Sequence, residues 1–80
     1  MISCHLHDYI EIACLYQYQV ELHLEQGDVI TGHAMTVETG PDKHEYLLLK
    51  THNRTGKVLL TDISKMKAVT HNPHFDEIEF

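Results

Sequence analysis

From Tyr18 to Glu25 the chain alternates without a break: Tyr18, Val20, Leu22 and Leu24 are apolar, and Gln19, Glu21, His23 and Glu25 are polar. Successive side chains of an extended strand point to opposite faces. The run therefore predicts a half-buried β-strand, with one face for a core and one for water. A chain of 80 residues has room for a single domain. This strand must then belong to one small sheet with a cover over its apolar face.

The segment before it supplies a cover. Asp8, Tyr9, Ile10 and Glu11 read as a capping box, with Asp8 at the N-cap and Glu11 three positions on. Tyr9, Ile12, Ala13 and Tyr16 recur at i, i+3, i+4 and i+7 as one apolar stripe, which predicts a short helix. Asp8, Glu11 and Leu15 fall away from that stripe. A helix this short is marginal alone in water, so it has to dock on the sheet.

After the first strand, Gln26-Gly27-Asp28 predicts a turn and Val29 to Glu38 a second strand. Gly32 inside that strand marks a bend or a close backbone approach. Gly40-Pro41-Asp42 opens a loop, and His44 to Thr51 reads as a third strand, central because Tyr46 to Leu49 are apolar on both faces. A turn at Asn53 to Gly56 leads to a fourth strand over Lys57 to Thr61. Thr61 to Ser64 predicts a turn of irregular or 3₁₀ structure, and Lys65 to Thr70 a fifth strand. Residues 71–80 are polar and acidic, with Phe75, Ile78 and Phe80 as anchors, and read as either a loose tail or a last edge strand. The fold class expected is α+β, mostly β: a small curled five-stranded antiparallel sheet, a partial barrel, closed by an N-terminal α-helix over one domain spanning 1–80.

Charge narrows the function. Twelve Asp and Glu face six Lys and Arg, a formal net charge of -6. A surface built to grip phosphates carries the opposite sign, so nucleic acid is not the expected main partner; a basic protein partner, or simply solubility, accounts for the acidic balance. Cys4 and Cys14 fall near opposite ends of the expected helix, too far apart to bridge, and two cysteines are fewer than a secreted disulfide scaffold needs. The first residues lack a basic and then apolar leader, and no apolar run reaches the roughly 20 residues of a membrane span. A cytoplasmic protein is expected.

No catalytic motif emerges. The four glycines are scattered rather than gathered in a phosphate loop, and Ser3 and Ser64 lack a nucleophile elbow. Cys4, His5 and His7 cluster at one end, and His71 and His74 at the other, a set that offers nitrogen and sulfur to Zn only if the termini meet. Solvated polar residues are the plainer reading, and neither metal nor cofactor is expected. Tyr16, Tyr18, His52, Arg54 and Lys57 could stack on bases and meet phosphates; a solvated hairpin tip accounts equally for Arg54 and Lys57. The acids Asp8, Glu11, Glu21, Glu25, Asp28, Asp42 and Glu45 make a better candidate surface, against plain roles in capping and solvation.

Ile2-x-Cys4 followed by Asp8-Tyr9-x-Glu11-Ile12-Ala13-Cys14 resembles the N-terminal signature of the Rof (YaeO) family. Val20 to Leu24 with the Gln26-Gly27-Asp28 turn, Glu45-Tyr46-Leu47, and Asp62-Ile63 continue the resemblance from about Ile2 to Thr70. It implies an Sm-like fold. It also implies a non-catalytic protein that binds the N-terminal RNA-binding domain of the transcription terminator Rho, a hexameric RNA-dependent ATPase. Blocking the primary RNA site there would cause antitermination. Asp8 and Glu11 match the family's acidic helix positions and are the expected Rho contacts, extended by Glu45. His5, Leu6 and His7 stand where the family can show acids. The free protein is expected to be a monomer, and an Sm-like RNA-binding module is the alternative.

Overall fold

The computed structural model describes residues 4–80, with side chains from His7 onward. Helix α1 (Cys4–Leu15) is followed by β1 (Gln19–Leu24), β2 (Val29–Thr39), β3 (Glu45–Lys50), β4 (Thr55–Leu59), a 3₁₀ turn (Leu60–Asp62), β5 (Ile63–Ala68) and β6 (Glu77–Glu79). The six strands form one antiparallel sheet in the order β4-β3-β2-β1-β5-β6. The architecture is α+β, mostly β, a helix on a curled open sheet.

The alternation that predicts β1 is realised in its burial. Val20 and Leu22 are fully buried, with Tyr18 and Leu24 nearly so, while Gln19, Glu21 and His23 are half-exposed. Leu22 stands opposite Ile30 of β2 on one side and Met66 of β5 on the other. Around it Ile10, Ala13, Ala34, Leu47, Leu49, Val58, Leu60, Ile63 and Phe75 close a single core. At roughly 1.5–3 kcal/mol for each fully buried large aliphatic side chain, this cluster is the main term that holds helix to sheet.

Helix α1 begins a turn earlier than the capping-box reading places it. Asp8 is therefore an interior helical residue and not an N-cap, and Glu11 sends its carboxylate to His7, one turn back, at 3.2 Å. The inward face is set by Ile10 and Ala13, both fully buried, with Tyr9, Ile12 and Cys14 packed at the margin. Tyr16, expected on the apolar stripe, is outside the helix and 54 % exposed. The helix stops in a Schellman arrangement: the Tyr18 amide donates to the Ala13 carbonyl at 2.9 Å and the Gln17 amide to the Cys14 carbonyl at 3.2 Å. Gln17 takes the left-handed φ of 54° that this closure requires, so the stop lacks its usual glycine signal.

Gly32 is a close-approach residue. A Cβ there would lie 2.8 Å from Leu49 Cγ and 2.8 Å from the Lys50 carbonyl oxygen. The irregularity in β2 falls further on, between Ala34 and Thr36, where Met35 is left without a partner on β3. Such a bulge increases local twist and bends the strand. The 3₁₀ turn ends before Ile63, so β5 starts two residues earlier than expected, with Leu60 and Ile63 buried on either side of the corner.

The sheet has six strands rather than five. Residues 77–79 pair with β5, Met66 opposite Ile78. Asn72 positions the approach: its Oδ1 accepts the His74 and Phe75 amides at 2.9 and 3.1 Å. Phe75 then packs edge-on against Tyr9 and Tyr18, with ring centres 5.8 and 6.3 Å away. A three-residue strand carries too little alternation to be read from sequence.

Candidate protein-binding site

The three acids expected to contact a partner lie on one side of the molecule. Asp8 and Glu11 are exposed on α1, one turn apart. Glu45 opens β3. His7 joins them. Its Nδ1 lies 3.2 Å from Glu11 Oε1 and its Nε2 lies 2.6 Å from Glu45 Oε2. An imidazolium, whose two N–H groups both donate, satisfies both contacts at once. The carboxylates of Glu11 and Glu45 remain largely open to solvent, at 61 % and 47 %, while the ring between them is more covered at 28 %. His7 thus ties the start of α1 to the start of β3 and holds two carboxylates at a fixed spacing.

Two grooves flank Asp8. One is lined by Asp8, Glu11, Ile12 and Leu15, the other by Asp8, Tyr9, Ile12, Pro73 and His74. Among the described residues no basic group lies within ion-pair distance of Asp8. A cleft of about 210 Å³ on the far side of His7 is lined by His7, Lys43, His44, Glu45, Leu59, Leu60 and Thr61. The site is therefore a string of open carboxylates over shallow relief, suited to a protein surface rather than to an enclosed small molecule.

Two of the other candidate acids, Asp42 and Glu21, do other work. Asp42 organises the loop between β2 and β3: the Tyr46 hydroxyl donates to Oδ2 at 2.8 Å and the His44 amide to Oδ1 at 3.1 Å. These bonds, that of Tyr46 first, hold the Asp42 carboxyl below the usual carboxylate range, and the same bond pushes the Tyr46 hydroxyl up. Glu21 takes His23 at 2.6 Å on the outward face of β1.

Other expected constellations are dispersed. Tyr16 stacks on Tyr18 and His74, each at 5.4 Å. Lys57 pairs with Glu38 at 2.9 Å. His52 lies instead in a groove with Gln17, Gln19, Thr31, Gly32, His33, Met35, Lys50 and Thr51, a lining without carboxylates. Of the Cys4, His5 and His7 set, the side chains of Cys4 and His5 lie outside the described residues. Among those described, no group of three or more His, Cys, Asp or Glu is arranged to hold a metal ion.

Cys14 is a free thiol on the buried margin of α1. Burial, with the charge of Glu11 nearby, pushes it up to about 11 from 9.0. It stays protonated at neutral pH, with on the order of a hundredfold less thiolate than an unperturbed cysteine. Iodoacetamide at pH 8 should leave the Cys14 peptide largely unmodified in the native protein and alkylate it in denaturant, as read by mass spectrometry. Rapid native labelling would contradict the burial.

The sequence alone does not mark His7 as part of this site. Its i, i+4 spacing to Glu11 was available as a signal, while its contact with Glu45, 38 positions away, is set by the fold.

Comparison with known proteins places this geometry in a family. No curated protein sequence matches the chain. The solved structure of YaeO bound to magnesium from Vibrio cholerae O395 superposes with a TM-score of 0.87 at 34 % identity, covering 91 % of this chain and 95 % of that one. The model of the family described as modulator of Rho-dependent transcription termination matches residues 1–80. By that match over its whole length, with the helix-on-sheet fold to support it, the chain belongs to the ROF family of modulators of Rho-dependent transcription termination.

Proposed function

We propose that this chain is a non-catalytic cytoplasmic inhibitor that binds the N-terminal RNA-binding domain of Rho, occludes its primary RNA site and so causes antitermination. The observation that carries the reading is the joining of Glu11 and Glu45 through His7, with Asp8 lining the same groove as Glu11. A cleft that loads RNA is positive, and a surface of open carboxylates with a net charge of -6 behind it complements that cleft. Complementary charge speeds encounter and rejects wrong partners. The free chain is proposed to be a monomer with no Sm-type ring.

The Vibrio cholerae relative was solved with magnesium. Here Glu11 and Glu45 are spanned by an imidazole, and among the described residues no cluster of metal ligands accompanies them.

Direct RNA binding is the second reading. It has one observation in favour: the groove containing His33, Lys50 and His52 has no acid in its lining, and no carboxylate among the described residues pairs with Lys50. A single experiment separates the two. Purified protein is titrated into Rho carrying a fluorescent C-rich single-stranded oligonucleotide, and separately into the oligonucleotide alone. Release of the oligonucleotide from Rho, with no change in the anisotropy of the free oligonucleotide, is expected. Binding to the free oligonucleotide with indifference to Rho would replace the inhibitor reading with the RNA-binding one.

A further inference from the structure

On the outer side of α1, Asp8, Glu11, Ile12 and Leu15 stand at i, i+3, i+4 and i+7 and line one shallow groove of about 510 Å³. Leu15 is 74 % exposed, the largest exposure among the big apolar side chains described, and Ile12 is half-buried beside it. The groove therefore has an apolar floor and carboxylates at one end. Neither half suits a simple occupant. A purely apolar group would strip water from Asp8 and Glu11 and return no hydrogen bond. A compact cation would satisfy the acids and leave Leu15 and Ile12 wet. An anion meets no positive group in the lining. A long cationic side chain fits both halves, because its methylene stem covers apolar surface while its head stays with the acids.

We infer that Leu15, with Ile12, forms an apolar shelf that seats the aliphatic stem of an arginine or lysine side chain projecting from the partner protein, with the cationic head on Asp8 and Glu11. The inference rests on the proposed Rho-inhibitor reading and adds to it a residue with a separate job. The acids govern encounter, and Leu15 governs how long the complex lasts. Contacts centred on a desolvated apolar group carry more of the binding energy than exposed charges at a rim.

The test measures association and dissociation rates with immobilised Rho at several salt concentrations, for wild type, Leu15→Gln, and Asp8→Asn with Glu11→Gln. Leu15 makes little contact within its own chain, so Leu15→Gln should fold as wild type does, checked by circular dichroism. It is expected to raise the dissociation rate about tenfold and leave the salt dependence of association unchanged. The acid variant is expected to slow association and flatten its salt dependence. If the acid variant weakens binding while Leu15→Gln dissociates at the wild-type rate, this inference is overturned and the inhibitor reading stands. If the wild type does not bind Rho, both fall. If sedimentation shows a wild-type dimer that Leu15→Gln converts to monomer, the shelf seats a second copy of this chain, and the inference is overturned in that way.

Discussion

Gly32→Val is expected to destabilise the domain by about 3 kcal/mol, toward the upper end of what overpacking a buried site costs. The first added carbon alone would sit 2.8 Å from Leu49 Cγ and 2.8 Å from the Lys50 carbonyl oxygen. Leu49 is itself 1 % exposed and packed in the core, and the carbonyl belongs to a strand bonded on both sides. A domain of this size loses about 4–8 °C of melting temperature per kcal/mol, so a fall of more than ten degrees follows. Gly56→Val is the matched control. Gly56 lies on β4 opposite Leu49, and a Cβ there meets nothing within 4 Å. Its melting temperature should stay near wild type or rise slightly, because valine suits an extended strand and restricts the unfolded chain. Equal effects at the two glycines would show that backbone entropy, and not the close approach, decides the cost.

The largest functional effect is expected from Asp8→Lys combined with Glu11→Lys. Both side chains are exposed on α1, and reversing them replaces two open carboxylates with ammonium groups, which the positive cleft proposed for the partner would repel. Affinity for Rho should fall at least tenfold, roughly 1.4 kcal/mol, through slower association. Asp8 is not a cap, and Glu11 gives up only a surface contact with His7, which is worth little to stability. The melting temperature should move by a few degrees at most. A folded double variant that binds Rho as tightly as wild type would remove the acidic surface from the mechanism.

What was legible in the sequence had a short-range cause. The strict period of β1 and the turn at Gly27, whose φ is 102°, are written in neighbouring residues, and both appear as expected. The 3₁₀ corner after β4 was readable for the same reason. The capping-box pattern puts the helix start a turn late because Asp8 and Glu11 imitate a cap, whereas the fold spends Glu11 on His7. Its end was blurred because Gln17 performs a closure that usually belongs to glycine. The sixth strand was only one of two open options, since Glu77, Ile78 and Glu79 acquire their meaning from Met66. The site followed the same division. Asp8 and Glu11 are neighbours by helical spacing, but their continuity with Glu45 depends on a contact across 38 positions, and no local pattern contains that.

The strand order carries a consequence for how the chain is assembled. Strands β1 to β4 follow one another as a meander, so each can zip onto the last through a short turn. The other edge of β1 waits for β5, which returns over a loop on the order of forty residues to place Met66 beside Leu22. During synthesis β1 is therefore an outer strand, with its backbone donors and acceptors open along one side, and it becomes interior only when the final third of the chain has emerged. Until then it is the segment most open to pairing with a foreign strand.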